Sequence, residues 1–162
     1  MCGIIGAATK EPLADKLIQG LFRQEYRGYD SSGLAVFSED SNQIDLIKKA
    51  GKVSELKSAL QDYPLSGDTG IAHTRWATHG LPEEKNAHPH HSNQEVYAVH
   101  NGIIENYKEI KTTLLALGYE FTSDTDSEVI GHLIHAKLQQ GNLDLISAVQ
   151  EAIKDLKGAF AL

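Results

Sequence analysis

Apolar runs of strand length and segments of helical periodicity occur in separate blocks along this chain, and this pattern limits the folds available to it. Strand-length apolar runs occupy residues 2–9, 34–37, 44–47, 69–76, 95–100 and 158–162. Helical periodicity occupies residues 12–22, 53–60, 107–117, 129–141 and 142–156. Strict alternation of strands and helices is typical of doubly wound parallel sheets, whereas separate blocks favour an α+β fold. The sequence therefore predicts the α+β class.

Size and charge exclude several classes of protein. The 162 residues are enough for one domain with a core, and no apolar run approaches the roughly 18 residues that cross a bilayer. A net charge of −7 excludes a general nucleic-acid binder, which needs a basic surface. Polar residues from position 9 onward exclude a signal peptide, and the single cysteine excludes an internal disulfide framework. We expect a soluble cytoplasmic protein with neither nucleic-acid nor membrane partners.

Local signals predict where several elements begin and end. Gly118 follows a helix at the position where left-handed backbone is accessible, and the polar residues 39–42 predict a hairpin turn. Residues 125–128 have the form of a capping box, and Asn142 is predicted to cap the next helix. Residues 77–93 are predicted to be irregular. Because the chain stops within an apolar strand, we expect the N-terminal piece of a longer domain, poorly stable or inactive alone.

Cys2 has two interpretations. A free cysteine is usually a small buried hydrophobe. If Met1 is removed, however, the chain begins with a thiol beside its own α-amino group, whose ordinary pKa of about 7.7–8.0 lets it accept the thiol proton near neutral pH. Cys2 would then supply both the nucleophile and the general base.

Six of the eight histidines lie between His73 and His100, which raises the alternative of a metal-binding module. His88, His90 and His91 are the most crowded of them. Residues separated by one position face opposite ways on an extended chain, however, and no second cluster of carboxylates or cysteines has ligand spacing. We therefore expect solvated or hydrogen-bonded loop histidines and no metal or other cofactor.

Arg75 and Trp76 lie where an apolar run meets a polar segment. A guanidinium at a strand end suits bidentate capture of a carboxylate, although a surface salt bridge explains an isolated arginine equally simply. Trp76 is the single tryptophan, and a tryptophan in this setting is more often a core residue than a functional one.

Asn101, Gly102 and Asp126 also have a structural and a functional interpretation. Asn-Gly is an ordinary turn signal, but an asparagine amide and the next backbone N–H can together donate to an oxyanion. Asp126 is explained either by helix-terminus electrostatics or by the anchoring of an ammonium group.

Six stretches, in order along the whole chain, carry a resemblance to a known family. They are residues 1–6, 25–33, 70–80, 86–90, 99–106 and 125–128. Together they resemble the class II, or N-terminal-nucleophile, glutamine amidotransferases, and the form Arg-Trp-Ala-Thr-His-Gly at 75–80 is similar to that of the members that aminate fructose 6-phosphate. The resemblance implies an N-terminal-nucleophile hydrolase fold, an αββα sandwich of two antiparallel sheets. It also implies that residues 1–162 are the N-terminal part of a type-2 glutamine amidotransferase domain, without its remainder or a sugar isomerase region.

The resemblance assigns catalytic roles to three residues. Cys2 would attack the side-chain amide of L-glutamine and form a γ-glutamyl thioester, which water hydrolyses to glutamate. The side chain of Asn101 and the backbone N–H of Gly102 would hold the oxyanion. A retained Met1 would block the α-amino group, so we expect the chain to be inactive until Met1 is removed.

The resemblance also assigns substrate contacts and partners. Arg75 would bind the α-carboxylate of glutamine and Asp126 its α-ammonium group, while Trp76, Thr78 and His79 would complete a pocket that closes over the substrate. The ammonia would pass to fructose 6-phosphate in the isomerase region of a full-length homodimer. An ammonia-donating domain of another class II synthase and an inactive fragment remain the alternatives.

Overall fold

The computed structural model describes residues 2–38, 41–77 and 79–162. The chain divides into two compact units, Met1–Pro89 and His90–Leu162. Both combine helices with antiparallel strand pairs, so the predicted α+β class is confirmed. Within the described residues, no helix is both long enough and apolar enough to span a bilayer.

The first unit contains a four-stranded antiparallel sheet and two helices. In chain order these are β1 (Gly3–Ala8), α1 (Ala14–Gln24), β2 (Ser31–Ser38), β3 (Gln43–Ala50), α2 (Val53–Asp62) and β4 (Thr69–Arg75), with 3₁₀ helices at Glu25–Arg27 and Glu84–Asn86. The strand order is β1-β4-β2-β3, so the first and last strands of the unit lie side by side. The predicted hairpin pairs β2 with β3, and residues 39 and 40 of its turn lie outside the described residues.

Both helices of the first unit contribute to one apolar core with the sheet. Alternation along β2 places Leu34 and Val36 on the same face, and Leu34 pairs with Ala72 of β4. The periodicity of α1 places Leu17 and Leu21 one turn apart, and all five side chains belong to the same buried cluster.

The second unit combines three helices with two short antiparallel strand pairs. Its elements are β5 (His90–Ser92), β6 (Val96–Ala98), β7 (Asn101–Gly102), α3 (Tyr107–Ala116), α4 (Glu128–Gly141), α5 (Leu145–Asp155) and β8 (Phe160–Ala161). β5 pairs with β6 and β7 with β8. β5 lies within the stretch 77–93 that we predicted to be irregular, and its three residues are too few to produce a recognisable alternation.

Two capping predictions in this unit are wrong. The N-cap of α4 is Ser127 and has no side-chain cap, because Glu128 accepts hydrogen bonds from Thr122 and Ser123 instead of closing a capping box. The N-cap of α5 is Asp144, whose carboxylate accepts from the Ser147 backbone N–H at 2.8 Å.

Asn142 and Gly118 both lie at helix ends and have positive φ angles. Asn142 is the left-handed C-cap of α4, with φ of 50°, rather than the N-cap of the next helix. The predicted end of α3 is confirmed, since Gly118 has φ of 88° just beyond it.

Candidate functional site

Cys2 lies at an end of the sheet because of the register between β1 and β4. Gly3 pairs with Thr74, which brings the start of the chain to the end of β4. The Trp76 backbone N–H donates to the Cys2 Sγ at 3.2 Å, and the thiol donates to the Trp76 carbonyl oxygen at 3.7 Å. Cys2 is only half-buried, so its thiol belongs to the strand end and not to the apolar core.

Arg75 is the last residue of β4, and its guanidinium is enclosed by the segment that follows. Only 4% of the residue is exposed. Its Nη1 lies 3.4 Å from an Asp30 carboxylate oxygen and donates to the Leu81 carbonyl oxygen at 3.2 Å, while Nη2 donates to the carbonyl oxygens of His79 and, at 3.3 Å, Gly80. Arg75 therefore does not form a simple surface salt bridge, because most of the hydrogen bonds of its buried guanidinium go to backbone carbonyl groups.

Asp30 is a site residue that the sequence analysis did not single out. One carboxylate oxygen accepts from the Ser31 hydroxyl at 2.9 Å and faces Arg75, and the other accepts from the Ala77 backbone N–H. Asp30 thus ties the arginine to the backbone on the far side of Trp76. The sequence did contain a pointer to Asp30, because this residue lies directly before β2 and within residues 25–33, one of the stretches that carry the family resemblance.

Trp76 is 53% exposed, so of its two interpretations the core one does not apply. Its ring packs against Gly28, where an added Cβ would overlap the indole. Gly28 also has φ of 93°, a conformation that side chains other than glycine rarely adopt. Of the neighbouring predicted residues, His79 contributes its carbonyl oxygen to Arg75, and Thr78 lies outside the described residues.

Asn101 and Gly102 form the short strand β7 rather than an isolated turn, and the second unit holds this Asn-Gly segment against the strand β8. Gly102 pairs with Phe160, and the Ile103 backbone N–H donates to the Ala159 carbonyl oxygen at 3.2 Å. Gly102 has φ of 129°, and an added Cβ there would overlap the backbone of residues 159 and 160. Only glycine fits this position, so the Asn-Gly segment has a fixed backbone path.

Asp126 contacts the backbone that follows this Asn-Gly segment, and Ser127 contacts the side chain of the residue that precedes it. The buried Asp126 carboxylate accepts from the Ile104 backbone N–H at 2.8 Å. The Ser127 hydroxyl lies 2.7 Å from Nδ1 of His100, the residue directly before the segment. Burial lowers the pKa of His100, and the nearby Asp126 carboxylate raises it in part.

Glu128 anchors the start of α4 through an unusually complete set of hydrogen bonds. Its buried carboxylate accepts from the backbone N–H and hydroxyl groups of both Thr122 and Ser123, at 2.7–2.9 Å. Burial alone raises the pKa of Glu128. His132, whose Nε2 lies 3.8 Å away, and these donors lower it by more than burial raises it, so the pKa lies well below its usual range.

The crowded histidines contact different partners. His88 stacks on His73 with ring centroids 4.2 Å apart, and His90 Nε2 lies 3.1 Å from the Thr125 hydroxyl. His91 is half-buried in β5. Over residues 2–38, 41–77 and 79–162, no group of three histidines, cysteines or acidic residues is arranged to hold a metal ion.

The predicted site residues thus form one group within each unit. The first unit groups Cys2, Arg75, Trp76 and the backbone of His79. The second unit groups Asn101, Gly102 and Asp126. A thiol at the end of a strand that carries an arginine suits nucleophilic attack on a substrate with an anionic group, and an asparagine followed by a glycine suits donation to an oxyanion.

Comparison with known proteins adds sequence similarity to this geometry. The family model described as "Glutamine amidotransferase domain" matches residues 73–162. The chain is 54% identical, over 160 residues, to the protein named "Glutamine--fructose-6-phosphate aminotransferase [isomerizing]" of Photorhabdus laumondii, covering 99% of this chain and 26% of that relative. The relative of the same name from Pseudomonas putida is 54% identical over 162 residues, or 100% of this chain and 26% of its own. The chain therefore spans about a quarter of the length of these relatives.

Solved structures share the fold of this chain. A glutamine phosphoribosylpyrophosphate amidotransferase from Bacillus subtilis, in complex with ADP and GMP, superposes with a TM-score of 0.81. The match covers 99% of this chain and 34% of that one at 24% identity. A structure titled as the allosteric regulatory enzyme of purine biosynthesis gives the same TM-score and the same coverage at 25% identity. These neighbours establish the fold.

Proposed function

This chain belongs to the glutamine amidotransferase family, and from that premise we propose that it hydrolyses the side-chain amide of L-glutamine through a thioester on Cys2. The observation that carries this proposal is the half-buried Cys2 thiol, which touches the Trp76 backbone directly after the enclosed guanidinium of Arg75. A nucleophile at this place lies beside a group suited to bind the carboxylate of an amino acid.

The chemistry requires Cys2 to be the first residue. With Met1 removed, the α-amino group takes the thiol proton, Sγ bonds to the amide carbon, and the carbonyl electron pair moves to oxygen. The oxyanion collapses, the carbon–nitrogen bond breaks, and the α-ammonium group returns the proton so that ammonia leaves. Water then attacks the thioester by the same route, which releases glutamate and restores the thiol.

Asn101 and Gly102 stabilise the oxyanion in this proposal. The asparagine side-chain amide and the glycine backbone N–H are the two donors, and loss of one such donor typically lowers the rate by about 10²–10³-fold. Support comes from the backbone path of the Asn-Gly segment, which only glycine at position 102 permits. A donor pair on a fixed backbone does not need to reorganise when the charge develops.

Arg75 binds the α-carboxylate of glutamine in place of backbone carbonyl groups. Its guanidinium donates to the carbonyl oxygens of residues 79–81 in the free protein. A carboxylate forms stronger, charge-assisted hydrogen bonds with the same fork. Binding therefore releases these carbonyl groups and lets the segment 76–80 rearrange over the substrate, where it shields the thioester from water.

The remaining contacts select the amino-acid end of the substrate. Asp126 binds the α-ammonium group, and Trp76 and His79 line the pocket with Thr78. Support for a mobile role of Trp76 is its exposed indole, which also suits a gate for the departing ammonia. Because the site binds both charged groups of glutamine, simple amides, which lack these groups, are poor substrates.

The ammonia aminates fructose 6-phosphate in the whole protein. This step is supported by the names of the relatives, glutamine–fructose-6-phosphate aminotransferases, at about 50% identity over the whole of this chain. The isomerase reaction, the homodimer and the cytoplasmic location remain predictions from the resemblance.

Release of glutamate and ammonia from L-glutamine tests the proposal. We expect the whole protein that carries this chain to hydrolyse L-glutamine, and Cys2→Ser to reduce kcat by about 10³-fold or more at unchanged thermal stability. Propionamide, which lacks both charged groups, serves as the control substrate and should react poorly. Hydrolysis that survives in Cys2→Ser, or equal rates with the two amides, would contradict it.

A further inference from the structure

His100 is a buried histidine that the proposed chemistry does not use. It directly precedes Asn101, and its Nδ1 lies 2.7 Å from the Ser127 hydroxyl. Both groups are buried, so the hydrogen bond forms away from competing water. Burial lowers the pKa of His100, and the nearby Asp126 carboxylate opposes this shift in part.

A second tie lies on the other side of the Asn-Gly segment. The Ile104 backbone N–H donates to the Asp126 carboxylate at 2.8 Å, also in a buried setting. Asp126 and Ser127 are adjacent in sequence. One dipeptide thus bonds to the side chain of the residue directly before Asn101 and to the backbone of the residue directly after Ile103.

This dipeptide is itself firmly anchored. The next residue, Glu128, accepts four hydrogen bonds from Thr122 and Ser123 at the start of α4. The strand β8 pairs with this Asn-Gly segment through the main chain, at Gly102 and Phe160. Asp126 and Ser127 add side-chain hydrogen bonds from the anchored start of α4.

We propose that His100 and Ser127 are positioning residues for the two oxyanion donors, an inference that rests on the proposed function. Neither side chain needs to touch glutamine. Their hydrogen bond fixes where the backbone enters the Asn-Gly segment, and a displacement of about 1 Å at a reacting group can lower the rate by about 10²-fold.

The variant Ser127→Ala removes the hydroxyl that holds His100. In the whole protein we expect kcat for glutamine hydrolysis to fall by about tenfold to a hundredfold, with KM changed by no more than about twofold. Amide hydrogen exchange at residues 101–104 should become faster. Ser127→Thr keeps the hydroxyl and should retain most of kcat and the slow exchange.

Tyr119→Phe is the matched control. The Tyr119 hydroxyl lies 2.7 Å from Nδ1 of His135, so this variant also removes a hydroxyl–histidine hydrogen bond at α4. This pair does not contact the Asn-Gly segment. We expect a comparable loss of thermal stability, unchanged exchange at residues 101–104, and kcat within about twofold of wild type.

The outcomes separate this inference from the proposed function. Unchanged exchange or unchanged kcat in Ser127→Ala, in an otherwise active protein, overturns the positioning role alone. A loss confined to KM, or an equal loss of kcat in Tyr119→Phe, also overturns it. A wild-type protein that does not hydrolyse glutamine overturns the proposed function and the positioning role together.

Discussion

The two units hold their site residues in different ways. In the first unit the contacts come mainly from the main chain, because carbonyl groups of residues 79–81 surround Arg75 and the Trp76 backbone contacts Cys2. In the second unit they come mainly from buried side chains, such as Asp126 on Ile104 and Ser127 on His100.

This difference suits different tasks. Backbone carbonyl groups of a loop can leave Arg75 when a carboxylate arrives, so the first unit can adapt to a ligand. Buried, hydrogen-bonded side chains lose stabilising contacts when they move, so the second unit is suited to keep its proposed donors in place before charge develops. In the proposed function, substrate recognition is therefore adaptable and oxyanion stabilisation is preorganised.

The largest expected effect tests the preorganised side of this comparison. Asn101→Ala removes one proposed oxyanion donor, and we expect kcat for glutamine to fall by about 10²–10³-fold because the lost interaction forms fully only in the transition state. KM should change little. Steady-state assays of glutamate release measure both constants, and a variant that raises KM at unchanged kcat would assign Asn101 to substrate binding.

Arg75→Lys tests the adaptable side and should have the opposite kinetic signature. Lysine keeps the charge but not the fork, so we expect KM for glutamine to rise by about 30- to 100-fold, with a smaller effect on kcat. Lys49→Met is the control, because it removes an exposed ion pair with Glu84 in the same unit. A fall in kcat without a rise in KM for Arg75→Lys would contradict the proposed difference between the two units.

Glu128→Gln weakens the anchor of the second unit without touching the proposed chemistry. We expect the free energy of unfolding at pH 7 to fall by about 2 kcal/mol, because charge-assisted hydrogen bonds become neutral ones. The exposed Glu84→Gln should cost no more than about 0.5 kcal/mol. Urea denaturation measures both.

The pH dependence of this effect has a definite sign. The folded pKa of Glu128 is lowered, so its contribution is fully present above the unfolded pKa of about 4.3 and is lost as the pH falls toward the folded pKa. The stability difference between wild type and Glu128→Gln should therefore shrink below about pH 4. A difference that stays constant down to pH 2 would show that Glu128 is not a charged anchor.

The smallest expected effect concerns Gly28 and Trp76. Gly28→Ala adds a methyl group at a positive φ and against the indole, so we expect a loss of about 1–2 kcal/mol and a shift in tryptophan fluorescence. Gly118→Ala also has a positive φ but meets open space, so it should cost less and leave the fluorescence unchanged. Equal costs and equal spectra would mean that Trp76 does not pack on Gly28.

Local sequence signals predicted most elements of the fold. The helical periodicity of residues 107–117 corresponds to α3, and Gly118 lies just beyond its end. Periodicity and a positive-φ glycine act within a few residues, so they can be recognised without a partner segment. The three-residue strand β5 was not predicted, because its formation depends on pairing with β6.

Residues of the candidate site could be predicted from the sequence only where the residue type itself suggests a particular chemical role. Cys2, Arg75 and the Asn-Gly pair stood out in this way. The role of Asp30 depends on Arg75, 45 positions away, and that of Ser127 depends on His100, 27 positions away. The capping box at 125–128 failed for the same reason, since Thr125 bonds to His90 and not to its own helix. Long-range side-chain pairs leave no periodic signal in the sequence.

Mass spectrometry of the protein after reaction with 6-diazo-5-oxo-L-norleucine, a glutamine-like electrophile, tests the nucleophilic role of Cys2 most directly. We expect a single adduct on Cys2, formed only when Met1 has been removed and prevented by excess L-glutamine. L-Glutamine should protect, and propionamide should not, because only glutamine carries the charged groups that we propose Arg75 and Asp126 bind. Labelling of Cys2 that glutamine does not slow, or no labelling of a protein that begins at Cys2, would contradict a glutamine-specific thiol nucleophile.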